Sequence, residues 1–186
     1  MIDSLFFDSD CISAFLWVKE QNLLAMLYPG RIVIPKPAYD ELTYPTTPQL
    51  KQRIDSLIFN HQATLQTINV DSDTYDLYQK LTTSPDEGHK IIGPGEAASI
   101  ALAKTVDGVV ASNNLKDISS YINEYGLKHI TTGDILIEAM QKGVLFHTTI
   151  HHWNDGHSGL QDAWVFEHNG RIEDIRFQEG ETCDAM

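Results

Sequence analysis

The chain has 186 residues, 42% of them hydrophobic, and a formal net charge of −13. That length suits one domain with a full core and room for a small appendage, and the composition is that of an ordinary soluble globular protein. The acidic balance argues against a protein that grips nucleic acid through a broad basic face, and it permits a metal-centred site or a basic partner.

In chain order, Ser4-Leu5-Phe6-Phe7 reads as a short apolar strand followed by Asp8-Ser9-Asp10. Helical spacing of Ile12, Phe15, Leu16, Leu23, Leu24 and Leu27 predicts one helix over 11–27, stopped by Pro29-Gly30. Arg31 to Pro35 is a second strand. A helix begins at Pro37 with Glu41 in its first turns, and Tyr44-Pro45-Thr46-Thr47-Pro48 breaks it before a helical stretch over 49–59. Residues 64–70 alternate like an extra strand. Asp71-Ser72-Asp73 is an N-cap cluster for a helix to Leu81, and 82–95 reads as a loop.

Gly93-Pro94-Gly95 then opens a helix of small residues, Glu96 to Ala103, which feeds the apolar strand Gly108 to Ala111 and the turn Ser112-Asn113-Asn114. A helix to Tyr125 capped by Gly126, a strand over 128–131 and a helix over 133–143 complete the pattern. Strands alternating with helices predict an open parallel sheet with right-handed crossovers. From Phe146 the texture changes. His147, His151, His152 and His157 crowd one loop, and Asn169-Gly170 between two alternating segments predicts a β-hairpin over 163–177.

Two cysteines, Cys11 and Cys183, make neither a CxxC pair nor a disulfide framework, so a reducing cytoplasm is the expected compartment. Asp3, Asp8 and Asp10 stand where a signal peptide needs basic residues, and no run reaches the length of a membrane span.

Ligands of open α/β sheets bind outside the carboxyl ends of the strands. Asp8, Asp10 and Asp117 fall there, with Glu96 and Glu41 on helices that flank those strands. Carboxylates converging in one place repel each other unless a cation lies between them. Mg2+ takes such oxygen ligands, and phosphodiester hydrolysis is the chemistry that suits it. Each acid also has a structural reading: Glu96 favours a helix dipole, while Asp10 and Asp117 could cap helices. The histidines admit a Zn2+ site or a polar surface loop. Gly93-Pro94-Gly95 lacks the endings of nucleotide-binding loops. Trp17, Trp153 and Trp164 could stack on bases or fill a core.

Five segments, LFFDSDCISAF (5–15), IVIPKPAYDEL (32–42), GPGEAASIALA (93–103), VVASNNLKDI (109–118) and TTGDILIEAMQKGVL (131–145), together resemble the PIN domain family of metal-dependent ribonucleases, which includes many toxins of toxin–antitoxin pairs. The resemblance implies a three-layer α/β/α domain over 1–146, with a His-containing loop and the C-terminal hairpin over 147–186. It implies a Mg2+- or Mn2+-dependent endoribonuclease in which Asp8, Glu41, Glu96 and Asp117 form an acidic quartet. Asp8, Glu96 and Asp117 would hold the metal, Glu41 would help to hold or orient it, and Asp10 and Asn114 would be hydrogen-bonding helpers. RNA would be the substrate and an antitoxin protein the partner, and a homodimer stays open. Ser112-Asn113-Asn114 departs from relatives that carry an aspartate in this turn, and 43–92 is longer than a compact toxin needs. The alternative is a PIN-like module of little or no activity that works through protein contacts, with the hairpin as its docking edge.

Overall fold

The computed structural model describes residues 3–144 and, as backbone alone, the strand segments 151–153, 163–168 and 171–176. Five strands, β1 (Leu5–Phe7), β2 (Ile32–Pro35), β3 (Ala63–Gln66), β4 (Val109–Ala111) and β5 (Lys128–Ile130), form a parallel sheet in the order β3-β2-β1-β4-β5. β1 lies in the middle, with Leu5 opposite Ile32 on one side and Val109 on the other.

Successive side chains of a strand point to opposite faces. Leu5 and Phe7 therefore join Ile32, Ile34, Val109 and Ala111 in one core, while Phe6, Val33 and Val110 join a second. Both faces are covered, which is why these strands read as continuous apolar runs. The first core is closed by α1 (Ser9–Trp17), α2 (Gln21–Leu27), α4 (Pro48–Phe59) and α8 (Thr132–Gln141). The second is closed by α5 (Asp73–Thr83), α6 (Pro94–Val106) and α7 (Leu115–Tyr125). The result is the expected α/β/α sandwich. The remaining helix, α3 (Lys36–Leu42), follows β2 directly and packs on α6. Ala97, Ala98, Ser99, Ile100, Ala101 and Ala103 of α6 are all fully buried, so the run of small residues lets this helix sit between the sheet, α3 and α5.

Several boundaries differ from the sequence reading. The single helix expected over 11–27 is two, because the chain turns at Lys19, whose φ is 65°, and restarts at Gln21. The apolar spacing continues across the break because both helices face the same core. β3 ends at Gln66 rather than Val70, and Ile68 packs against the second core from beyond the strand. α3 stops at Leu42, so Glu41 lies in its last turn and not its first. α8 begins one residue before Gly133, set by a reciprocal cap in which Thr131 Oγ1 accepts from Asp134 N and Asp134 Oδ2 accepts from Thr131 N.

Backbone strands β6 (His151–Trp153), β7 (Ala163–His168) and β8 (Arg171–Arg176) pair antiparallel in the order β6-β7-β8. Asn169-Gly170 and the histidines His147 and His157 lie outside the described residues, and of His151 and His152 only the backbone is described. Among the described residues no helix is long and apolar enough to cross a membrane.

Candidate active site

From β1 the sheet grows outward through β2 and β3, and on the other side through β4 and β5. The carboxyl ends of β1 and β4 thus bound the crevice at which open α/β sheets place ligands. Asp8 is the first residue past β1, and its N–H donates to Ala111 O of β4 at 3.0 Å. Asp8, rather than Asp10, is the N-cap of α1: its Oδ1 accepts from Cys11 N at 2.7 Å. The residue is 1% exposed, and Oδ2 is buried with no hydrogen-bond partner. Burial pushes this carboxyl well above its ordinary pKa, and the charge of Asp10 adds to the push. The Ser112 hydroxyl, nearby but outside hydrogen-bonding geometry, and the Cys11 N–H work against it, and Glu96 raises it again. A buried carboxylate with one empty oxygen and like charges around it is costly unless a proton or a cation arrives.

Glu96 sits in the first turn of α6. Its Oε2 accepts from Gly93 N at 3.0 Å and its Oε1 from Asn114 Nδ2 at 2.7 Å. Burial raises its pKa; the bonds from Asn114 and Gly93 oppose that, while the charges of Asp10 and Asp117 reinforce it. Asn114 precedes α7 as its N-cap residue, so Asp117 lies inside the first turn and does not cap the helix. The Asn114 amide also donates to Asp117 Oδ2 at 3.0 Å, bridging the two acids. Lys90 Nζ donates to Asp117 Oδ1 at 2.8 Å, and this ammonium first, then Asn114, holds the Asp117 carboxyl below its ordinary range.

Glu41 stands at the junction of α3 and α6. Its Oε1 accepts from Gly95 N at 2.9 Å and its Oε2 from Ser9 Oγ at 2.5 Å. The carboxylate occupies an otherwise unpaired N–H at the head of α6, where the helix dipole favours it. Gly95 leaves room for this bond, since a Cβ there would lie 2.7 Å from Glu41 Oε2 and displace the carboxylate.

The structure therefore brings Asp8, Asp10 and Glu96 into one electrostatic neighbourhood, with Asp117 joined to Glu96 through Asn114. Glu41 is bound to Ser9, between Asp8 and Asp10, and to Gly95, next to Glu96, and so anchors the helix that carries Glu96. Ser9, Ser112 and Lys90 escaped the sequence reading. Ser9 lies within the Asp8-Ser9-Asp10 turn, where a hydroxyl next to two acids was the available signal. Lys90 is 27 positions from Asp117 and gave none.

Whether these residues fit a metal ion can be tested on the donors themselves. Among the described residues no three His, Cys, Asp or Glu side chains are set to hold an ion alone. A hard divalent ion such as Mg2+ needs only one or two carboxylates and completes its shell with water. Asp8 Oδ2, buried, unpartnered and among like charges, is a donor of that kind, and Asp10 and Glu96 are the acids whose charges act on it. The donor set fits the ion.

No curated protein matches the chain. Among solved structures it is similar to a chain in the structure of FitAB bound to IR36 DNA fragment, at 14% identity and a TM-score of 0.47, over 69% of this chain and 94% of that one. Residues 4–153 match the family described as DUF3368: PIN domain. The chain belongs to the PIN domain family, whose members are generally nucleases.

Proposed function

We propose that this protein is a metal-dependent endoribonuclease that hydrolyses RNA phosphodiester bonds. The observation that supports this most is the buried, unpartnered Oδ2 of Asp8 beside Asp10 and Glu96 at the carboxyl end of the central strand. Asp8 and Glu96 would hold Mg2+ or Mn2+, with Asp117 acting at the rim through Asn114. When bound, the ion supplies an activated water and neutralises charge on the phosphate.

The remaining work falls to the chain. Gly93 N and Asn114 fix both oxygens of Glu96, so its carboxylate is oriented before substrate arrives. Glu41 holds the head of α6 in place and thereby positions Glu96. No Ser or Cys beside a base is assigned as a nucleophile. The likeness of 131–145 to the closing helix of toxin members extends the proposal to a toxin restrained by an antitoxin protein.

A second reading, a PIN-like interaction module of little activity, draws on the engagement of Asp117, Glu41 and Glu96: each has both oxygens bound within the chain. One assay separates the two. Wild type, Asp8→Asn and Glu96→Gln are incubated with RNA in Mn2+ and in chelator. The nuclease reading expects cleavage by wild type in Mn2+ alone and a loss of about 10²-fold or more in each variant. Equal products from all three proteins, or none from folded wild type, would favour the module.

A further inference from the structure

We propose that Lys90 is a phosphate-contacting residue of this site, leaving Asp117 to pair with a backbone phosphate of bound single-stranded RNA. The inference rests on the nuclease reading above. Among the described residues, Lys90 is the only lysine or arginine that forms an ion pair with any of the acids Asp8, Asp10, Glu41, Glu96 and Asp117. Through Asp117 and Asn114 it connects to Glu96, so its ammonium stands at the edge of the candidate metal position.

The backbone around Lys90 is pinned, while its side chain is 60% exposed. Tyr121 Oη donates to Lys90 O at 2.5 Å. The ring of the preceding His89 lies tilted against Tyr121 with centroids 4.6 Å apart, and its Nε2 lies 2.8 Å from Glu124 Oε2. Two residues on, Ile92 is buried and its N–H donates to Leu81 O at 3.2 Å. Fixing a lysine on both sides restricts where its ammonium can reach.

Stability alone gives little reason for this arrangement. An exposed ion pair contributes only about 0–1 kcal/mol, and Asn114 already binds the other oxygen of Asp117. Recognition of a polyanion gives a stronger reason. A chain of net charge −13 repels RNA at long range, so a local cation at the cleavage position has a large effect on docking. Lysine pairs with phosphate as a mobile point charge and can exchange Asp117 for it. Ile91 and Leu115, next in the chain to Lys90 and Asn114, are exposed apolar side chains against which an unstacked base can lie.

The test is equilibrium binding of a labelled single-stranded oligoribonucleotide, followed by fluorescence anisotropy in Ca2+ across a salt series, for wild type, Lys90→Gln and Lys90→Arg. The expected result is binding weakened about tenfold in Lys90→Gln, with a slope of log K against log salt reduced by about 0.7, the value of one single-strand phosphate contact. Lys90→Arg, which keeps the charge, should bind like wild type. A Lys90→Gln protein with wild-type affinity and slope would overturn the proposal. Lys90-dependent binding by a wild type that cleaves no RNA in Mn2+ would instead overturn the nuclease reading alone. Matching thermal unfolding of the three proteins establishes that the exposed side chain was changed without loss of fold.

Discussion

Asp8 concentrates the chemistry of this molecule in one side chain. It caps α1 through Oδ1 and leaves Oδ2 buried and unpaired. Its pKa direction makes a testable statement about stability. A carboxyl that binds its proton more tightly folded than unfolded stabilises the fold below the ordinary carboxylate range and loses that contribution as pH rises through the raised value. Asp8 should therefore contribute stability to metal-free wild type that grows as pH falls from its raised value toward the ordinary carboxylate range, by up to about 1.4 kcal/mol per pH step while this one group titrates. Asp117, whose pKa is lowered, acts in the opposite sense but only below that window. In Asp8→Asn the dependence should flatten, leaving Glu96, which acts in the same sense, and the buried His129, whose lowered pKa acts in the opposite sense as pH falls. Denaturant unfolding at several pH values checks this, and an unchanged slope in the variant would show that Asp8 is not the titrating group.

Between elements, the junction of α3 with α6 decides where Glu96 points. Glu41 Oε1 takes the Gly95 N–H, and a side chain at 95 would strike that carboxylate. Gly95→Ala gains helix propensity of about 0.5–1 kcal/mol but ejects Glu41, a charged hydrogen-bond acceptor contributing about 1.5–3 kcal/mol. The flexible end of Glu41 can swing away, so the net destabilisation should be modest, about 1 kcal/mol, a fall in Tm of about 2–4 °C. RNA cleavage in Mn2+ should drop about tenfold or more, because Glu96 loses its fixed frame. A variant as active as wild type would show that this junction does not position the site. Element order was readable because both faces of the sheet are buried and the helices have clear apolar spacing. The break at Lys19 was not, since a lysine in the left-handed region carries no sequence mark and the apolar pattern runs straight across it. Glu41 could be picked out as an acid near a strand end, but its bond to a backbone N–H some fifty positions away is a product of packing that no local pattern encodes. Lys90 was hidden for the same reason.

Across the whole molecule, a parallel sheet sets the ends of β1 and β4 side by side and gathers acids into a chain whose net charge is already −13. That charge draws divalent cations to many surface carboxylates weakly, and a built site must stand out from this background. Binding to the folded state alone also stabilises it, by about 2.7 kcal/mol when free Mn2+ reaches a hundred times Kd. The central claim is tested most directly by calorimetric titration of Mn2+ into wild type, Asp8→Asn and Asp107→Asn, the last removing an exposed acid away from the site. The account predicts binding in the micromolar range or tighter for wild type and Asp107→Asn, and its loss in Asp8→Asn. Equal Mn2+ affinity in Asp8→Asn and wild type would contradict a metal centre at the end of β1.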